Sequence, residues 1–391
     1  MISGQPERYD VVIAGAGIGG TALAGALASR GWRVIAIDRD DFPRHKVCGE
    51  FLSPEAGRML AKLGVDLPPD SETAPRRLTA ARLHAEGGGG PLVVPLPGTA
   101  LGWSRHALDT ALHEAARRAG AIVQTAATVT AVEPEDGGDG WLVRIRSGEQ
   151  LNVIRARIAV AAWGRHARSG LPGSPSGRGR RPGAASAFVG VKLHMETARR
   201  VAAAVDMFFS RDGYIGVAPV EGNRLNVAAL MSRDAFRSSG GTVQSAVAHY
   251  ASRHRMLAEL LDGGAVVAET VTAVSPVAAA LLPAAKGALP PVGDAAALVP
   301  PLCGDGMAMA LRSALLCAEL ADACLAGRMP AAEWERRYRE ALRRELAAPI
   351  RWGRLLHAGL RQPRLARALL ELGRLVPALP QSLIRATRLR G

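Results

Sequence analysis

Read for its alternation of apolar and polar positions, the chain opens on an unbroken apolar run, Val11-Val12-Ile13-Ala14. Four such residues are too few for a helix, and the absence of a polar alternate predicts a strand buried on both faces. Glycines crowd the next turn. The stretch that follows places Leu23, Ala26 and Leu27 on one packed helical face, and Gly31 closes that helix. "WRVIAI" supplies a second strand, so the first forty residues predict a strand–helix–strand unit of parallel hand. Farther on, period-two and β-branched runs recur: "RLTAARLH", "PLVVPLP", "ASAFVGVKLHM", "AVDMFFS", "YIGVAPVEGNRLNVAALM" and "AVVAETVTAV". These predict one mixed sheet. A short strand is expected to end at Gly293-Asp294, followed by a Pro-Pro loop and a long apolar helix opened by Gly304-Asp305-Gly306. The tail reads as short amphipathic helices broken at Pro363, Pro377 and Pro380. The Gly/Pro/Arg stretch 169–183 reads as a linker, with a mobile cover as the alternative.

Composition narrows the class. With 391 residues, 48% hydrophobic and 21% charged, the chain is globular and long enough for about two domains. The formal charge of +14 is uneven: residues 331–391 hold 14 Arg and 5 Glu, or +9. Nucleic acid is not the expected partner. The bases are 45 Arg against 4 Lys, in an Ala- and Gly-rich chain, and no finger, homeodomain or aromatic RNA-binding motif is present. Cys48, Cys303, Cys317 and Cys324 have no C-x-x-C spacing, and no His-rich metal motif occurs, so no metal is expected. Cys317 and Cys324, seven apart on a predicted helix, read as core. A strand beginning near residue 9 leaves no room for a signal peptide, and no apolar run is long enough to span a membrane. A cytoplasmic protein is expected. Its tail packs on the core, touches the inner face of an anionic membrane, or meets an acidic carrier protein bearing a tethered substrate.

The glycine turn carries the first chemistry. Gly15, Gly17 and Gly20 form G-x-G-x-x-G, with Ile18 and Gly19 inside it. The first glycine permits the turn, the second lets a pyrophosphate approach the backbone, and the third lets helix and strand pack closely. The helix start adds free N–H groups for phosphate. Asp38, followed by Arg39, ends the second strand 18 residues past Gly20, where an acid accepts from ribose hydroxyls. Downstream, Gly293-Asp294 suits a ribityl hydroxyl. Gly304, Asp305 and Gly306 let backbone reach a ring edge, and the helix start near Met307 and Ala308 suits the negative charge of a reduced flavin. Taken alone, Asp305 reads equally well as a helix cap. Together with the first unit, these residues imply FAD.

These segments resemble the FAD-dependent aromatic hydroxylases of the para-hydroxybenzoate hydroxylase fold, and the related geranylgeranyl reductases and flavin halogenases. "GDAAALVPPLCGDGM" is similar to the hydroxylases' G-D-A-A-x-x-x-P-P segment, which implies that Pro301 lies over the reactive flavin edge. "GWSRHALDTALHEAARRAGA" resembles a helix whose arginine, here Arg105, reaches the FAD phosphates. "TVTAV" resembles the strand whose backbone holds the adenine, near Val129. The resemblance implies an α/β fold: a Rossmann-type FAD-binding domain with a mixed β-sheet substrate domain and a C-terminal helical tail. The division expected is 1–75 with 101–170 and 281–330 for FAD, 76–100 with 171–280 for substrate, and 331–391 as tail. After "RIAVAA" the family carries Asp-Gly, where this chain has Trp163-Gly164, which leaves the handling of NAD(P)H open.

In "DDFPRHKVCGE", Arg44 and Lys46 read as partners of phosphate and reduced flavin. Gly49 lets the backbone pass close to the ring, and Cys48 lines it. The Cys-Gly pair resembles the reductase branch. Neighbouring bases are expected to lower the Cys48 thiol pKa. On "GYIGVAPVE", Tyr214, Gly216 and Ala218 face one way on a strand. The halogenases and reductases carry bulky residues at the last two positions, so a roomier cavity with a phenol at one end is expected. Cys48 and Tyr214 are the candidate catalytic side chains. The reading is an NAD(P)H- and O2-using monooxygenase with non-covalent FAD, acting on an aromatic or polyketide-like, lipophilic small molecule. The alternatives are a C=C reductase and a non-catalytic escort protein on the same fold.

Overall fold

The computed structural model describes residues 6–69, 71–87, 89–136, 140–165, 171, 188–199, 201–277, 280–281, 289–298 and 301–389. The 169–183 stretch falls outside these except for Leu171, and of Pro301 only the backbone is described. The predicted opening unit is present as strand Glu7–Ala14, helix Ile18–Ala28 and strand Val34–Ile37. The two strands run parallel, with Val11 to Ala14 opposite Val34 to Ile37. They sit inside a six-stranded sheet ordered Ile122–Gln124, Val34–Ile37, Glu7–Ala14, Gln150–Ala161, Trp141–Ser147, Thr128–Pro134. The first four are parallel and the last two antiparallel.

Both faces of the opening strand are covered, which is why its apolar run is unbroken. Val11 and Ile13 pack under the helices Ile18–Ala28, Arg105–Arg118 and Gly306–Leu325. Tyr9, Val12 and Ala14 pack on the other side against Val129, Val132, Val143 and Ile145.

The second sheet holds all six predicted strand pieces. Its order is Ala265–Val277, Phe188–Glu196, Arg224–Ser232, Gly213–Val220, Ala204–Ser210, Arg76–Ala85, Leu92–Gly102, Phe51–Leu52. It is mixed because Ala204–Ser210 runs parallel to Arg76–Ala85 among antiparallel neighbours. Phe51–Leu52 pairs with Leu101–Gly102, which ties the chain just after Cys48 and Gly49 to this sheet. Val189, Val191, Leu193, Ile215 and Val217 bury one face against three short helices, Arg233–Ser238, Val243–Ala251 and Arg255–Leu261. The other face looks across a cleft at the glycine turn.

Two local expectations change. No strand ends at Gly293: Pro291 makes a single parallel bridge to Ala161, and Gly293, at φ +64°, turns the chain into a short 3-10 segment. The tail is not broken at each proline. A 30-residue helix, Ala331–Leu360, contains Pro349 and is followed by helices Pro363–Leu375 and Ala378–Thr387. Pro363 opens a helix and Pro377 caps one. Pro380 lies in the first turn of the last helix, where a missing N–H removes no intrahelical bond. The tail also crosses the molecule. Leu370 packs on Leu92 and Val94, and Tyr338, fully buried, donates to the Pro291 carbonyl at 2.7 Å.

Candidate active site

The glycines show what the turn demands. A Cβ on Gly15, itself at φ +120°, would stand 2.3 Å from the Ala162 carbonyl oxygen, and one on Gly20 would stand 1.9 Å from that of Gly15. Those two positions serve the turn and its packing. A Cβ on Gly17 would meet, among the described residues beyond its own turn, only Lys46 Nζ, at 4.0 Å. The open side of Gly17 therefore faces the cleft, next to an ammonium and the first turn of a helix. Burial pushes Lys46 down to about 8, and Arg105 and Arg44 add repulsion. Among the described residues Lys46 has no ion pair, so a bound anion would relieve it. Arg44 pairs with Asp40 and lies 3.4 Å from Asp38. Arg105 makes a two-point pair with Asp109 at 2.9 and 2.8 Å while its side chain borders the cleft. Asp38 braces the turn, accepting from the Ala16 N–H at 2.8 Å and the Asp40 N–H at 3.1 Å.

One continuous cavity of about 630 Å³ runs from this turn to the tail helices. It is bordered by Gly15, Gly17, Ile18, Gly19, Asp38, Arg39, Arg44, Lys46, Cys48, Gly49 and Arg105, and then by Gly164, Gly293, Asp294, Gly304, Gly306 and Met307. The predicted wall of Tyr214, Gly216 and Ala218 closes its floor. Among the predicted positions whose side chains are described, four are not on that border. Gly20 packs the turn, and Ala308 is buried behind Met307. Val129 lies in the core between the strands, paired with Ile145. The link from its strand to the cleft is made earlier, where the Ala127 N–H donates to the Asp38 carbonyl. Asp305 precedes the helix Gly306–Leu325 without a side-chain cap bond. Its carboxylate is buried 3.9 Å from Arg388, itself a cavity-lining residue, and burial pushes it up to about 7.

The segment that carries Cys48 and Gly49 is held by an ion cluster whose partners lie far along the chain. Glu50, fully buried, accepts from Lys192 Nζ at 2.7 Å, His194 Nε2 at 2.5 Å and the Arg105 backbone N–H at 2.9 Å. Its backbone is in the left-handed region at φ +51°. Its carbonyl accepts from Trp103 N, and Asn226 Nδ2 donates to the Cys48 carbonyl at 3.1 Å. The carboxylate is held below the usual range against its own desolvation, because His194 and Lys192 donate to it. His45 stands edge-on to His194 at 5.7 Å and is pushed down to about 4 by burial and by Lys192, so it is neutral. These ties leave Gly49 open: among the described residues, its chain neighbours aside, no heavy atom lies within 4 Å of where its Cβ would be. The expectation for Cys48 is reversed. Burial outweighs the nearby cations and raises the thiol, so it stays protonated beside the cavity. Sequence reasoning missed Lys192 and His194. The signal was present in "FVGVKLHME", where two polar residues two apart share one face of an otherwise apolar strand.

The residues bordering Gly17 fit a dinucleotide pyrophosphate. The convergence of a second helix start, at Gly304–Met307, fits the ring system of a flavin. A model of the family described as "FAD binding domain" matches residues 8–331. The chain belongs to this FAD-binding family. Among curated proteins, this flavoprotein is 26% identical to the menaquinone reductase of Mycolicibacterium smegmatis over 336 residues, 80% of this chain and 76% of that one. A shorter match, 51% identity over 57 residues, links it to squalene epoxidase 5 of Arabidopsis thaliana, covering 15% of this chain and 11% of that one. The flavin-dependent brominase Bmp2 shares the fold, with a TM-score of 0.82 and 17% identity over 97% of this chain and 93% of that one. The flavoprotein is thus an FAD-dependent oxidoreductase of the superfamily that its motifs resemble.

Proposed function

We propose that this flavoprotein is a monooxygenase that uses NAD(P)H and O2 to oxygenate a ring-bearing substrate with a long apolar chain. The carrying observation is the composition of the cavity beyond the flavin cleft. Its floor is cut back to Gly216, Ala218 and Ala228, and its far wall is Leu356, Leu360, Leu369, Leu370, Leu379 and Leu383 of the tail. A flat ring fits over the small residues, and a chain fits along the leucines. Tyr214 stands at the junction, 5% exposed, with its hydroxyl unpaired among the described residues. Burial pushes that phenol well above its ordinary value, so it keeps its proton and can donate to a phenol or carbonyl on the substrate.

FAD, when bound, supplies electron transfer and oxygen activation. The chain's own residues do the rest. The Glu50 cluster fixes Cys48–Gly49 against the ring position, Tyr214 orients the substrate head, and the leucine wall excludes water. A second reading, reduction of a C=C bond, is favoured by the reductase name of the relative aligned over 80% of the chain. Trp163-Gly164, where the resembling hydroxylases carry Asp-Gly, also bears on it, since Trp163 borders the cleft. The test is product mass from a lipophilic metabolite pool incubated with the reduced protein, with and without oxygen. A product 16 mass units heavier that appears only with oxygen supports the proposal. A product 2 units heavier without oxygen replaces it with the second reading.

A further inference from the structure

We infer that the outer face of the helix Pro363–Leu375, with the end of the helix before it, docks on the surface of an anionic lipid bilayer. The apolar arc of this helix is wider than the part that the cavity uses. Leu369, Leu370 and Gly373 face inward on the cavity. Leu365, Ala368, Leu372 and Leu375 recur at helical spacing on the adjoining outer flank, and all four are exposed, Leu375 to 80%. The inner face is accounted for by the cavity; on the outer one Leu365 leans towards Gly359 of the preceding helix, and Leu372 and Leu375 remain 44% and 80% exposed.

The exposure is also concentrated. Half of the large apolar side chains exposed among the described residues lie between Trp352 and Val376. Singly scattered exposed apolar residues need no explanation, but a contiguous face does. Its charge selects the partner. Residues 351–376 hold six Arg and one Glu. Of these, Arg351, Arg354 and Arg364 are exposed and have no ion pair among the described residues. A leucine face with Trp352 beside it and arginines along its margins matches a helix lying in the headgroup layer of a negatively charged leaflet. No helix among the described residues is long and apolar enough to cross a membrane, so the contact is with the surface. Docked in this way, a single helix separates bilayer from cavity, which gives a long-chain substrate a short route in. That last step rests on the proposed function, while the docking itself does not.

The test is flotation of the FAD-loaded full chain with vesicles of phosphatidylcholine alone, or with one third phosphatidylglycerol. Two variants serve as probes, Leu372→Glu/Leu375→Glu and Arg351→Glu/Arg354→Glu/Arg364→Glu. Circular dichroism and flavin absorbance check that each is folded. The expected result is partition onto anionic vesicles at least tenfold above neutral ones, reduced at least tenfold by either variant and weakened by salt. Equal recovery with both vesicle types, or anionic binding that both variants retain, overturns the inference. Failure to bind vesicles together with salt-sensitive binding to an acidic carrier protein also overturns it and assigns the face to that partner. No turnover is read, so an error in the assigned reaction leaves the outcome unchanged.

Discussion

Replacing Glu50 with Gln keeps its shape and removes only charge, so it isolates what the ion cluster does. In the native protein one oxygen takes the Lys192 ammonium and the Arg105 N–H, and the other takes His194. The glutamine carbonyl can keep the first two bonds. Its NH2 group, however, points at His194 Nε2 and forces that ring to its other tautomer. Lys192, with no exposed surface, loses its counter-charge. Removing one partner of a buried pair typically costs about 3–5 kcal/mol. For a chain of 391 residues the unfolding entropy is about 0.8 kcal/mol/K, so Tm should fall by about 4–6 °C. Glu50→Gln/Lys192→Met removes the stranded charge and should recover at least half of the loss. The assay is thermal unfolding followed by circular dichroism, with FAD affinity measured alongside. A Tm within 1 °C of wild type for Glu50→Gln would mean that the cluster does not hold the Cys48–Gly49 segment.

The two glycines of the turn should separate fold from cofactor. Gly15→Ala should fail to fold or lose several kcal/mol, whereas Gly17→Ala should stay folded and bind FAD at least tenfold more weakly in fluorescence titration. Asp305 has a folded pKa of about 7, above its ordinary 3.8, so the wild type should lose stability as pH rises between those values and no further beyond them. Asp305→Asn should therefore match wild type below pH 4 and gain in unfolding free energy, measured by denaturant titration, through that window. The gain should be no more than about 4 kcal/mol and flat above pH 7; a gain that is constant with pH would contradict the assignment. Cys48→Ser should keep turnover within about threefold, and iodoacetamide should modify Cys48 slowly at pH 7.5, because its thiol is raised rather than lowered.

Much of the fold was legible because local pattern and tertiary demand agree. Val11–Ala14 is apolar throughout since helices cover one face and antiparallel strands the other. The pairing of Gly216 with Ala228 across two strands could not be read from one strand alone, but the truncation of Gly216 and Ala218 could. What escaped depends on distant parts of the chain. Glu50 meets residues 142 and 144 positions away, and no local pattern signals that encounter. Asp305 has the sequence context of a flavin-facing cap, yet its side chain lies 3.9 Å from Arg388 of the last helix, which also pairs with Glu55. The cations near Cys48 are visible in sequence and predict a lowered pKa, while the burial that outweighs them is not. The sequence left the tail packing on the core, on a membrane face or on a carrier protein, and nothing local in it signals that its leucines line the cavity.

The central claim is that the cavity between the second sheet and the tail helices receives a long apolar chain while the flavin cleft receives the ring. Titration of the FAD-loaded protein with phenols bearing alkyl chains of increasing length, read by the change in flavin absorbance, tests it directly. Each buried methylene contributes about 0.8 kcal/mol, so Kd should fall about fourfold per added carbon until the chamber is full, then level off. Filling the chamber with Gly216→Leu should shorten the series, since its Cβ meets only the flexible Met207 thioether within 3.0 Å. A Kd independent of chain length, with flavin spectra still responding to the phenol, would contradict the account.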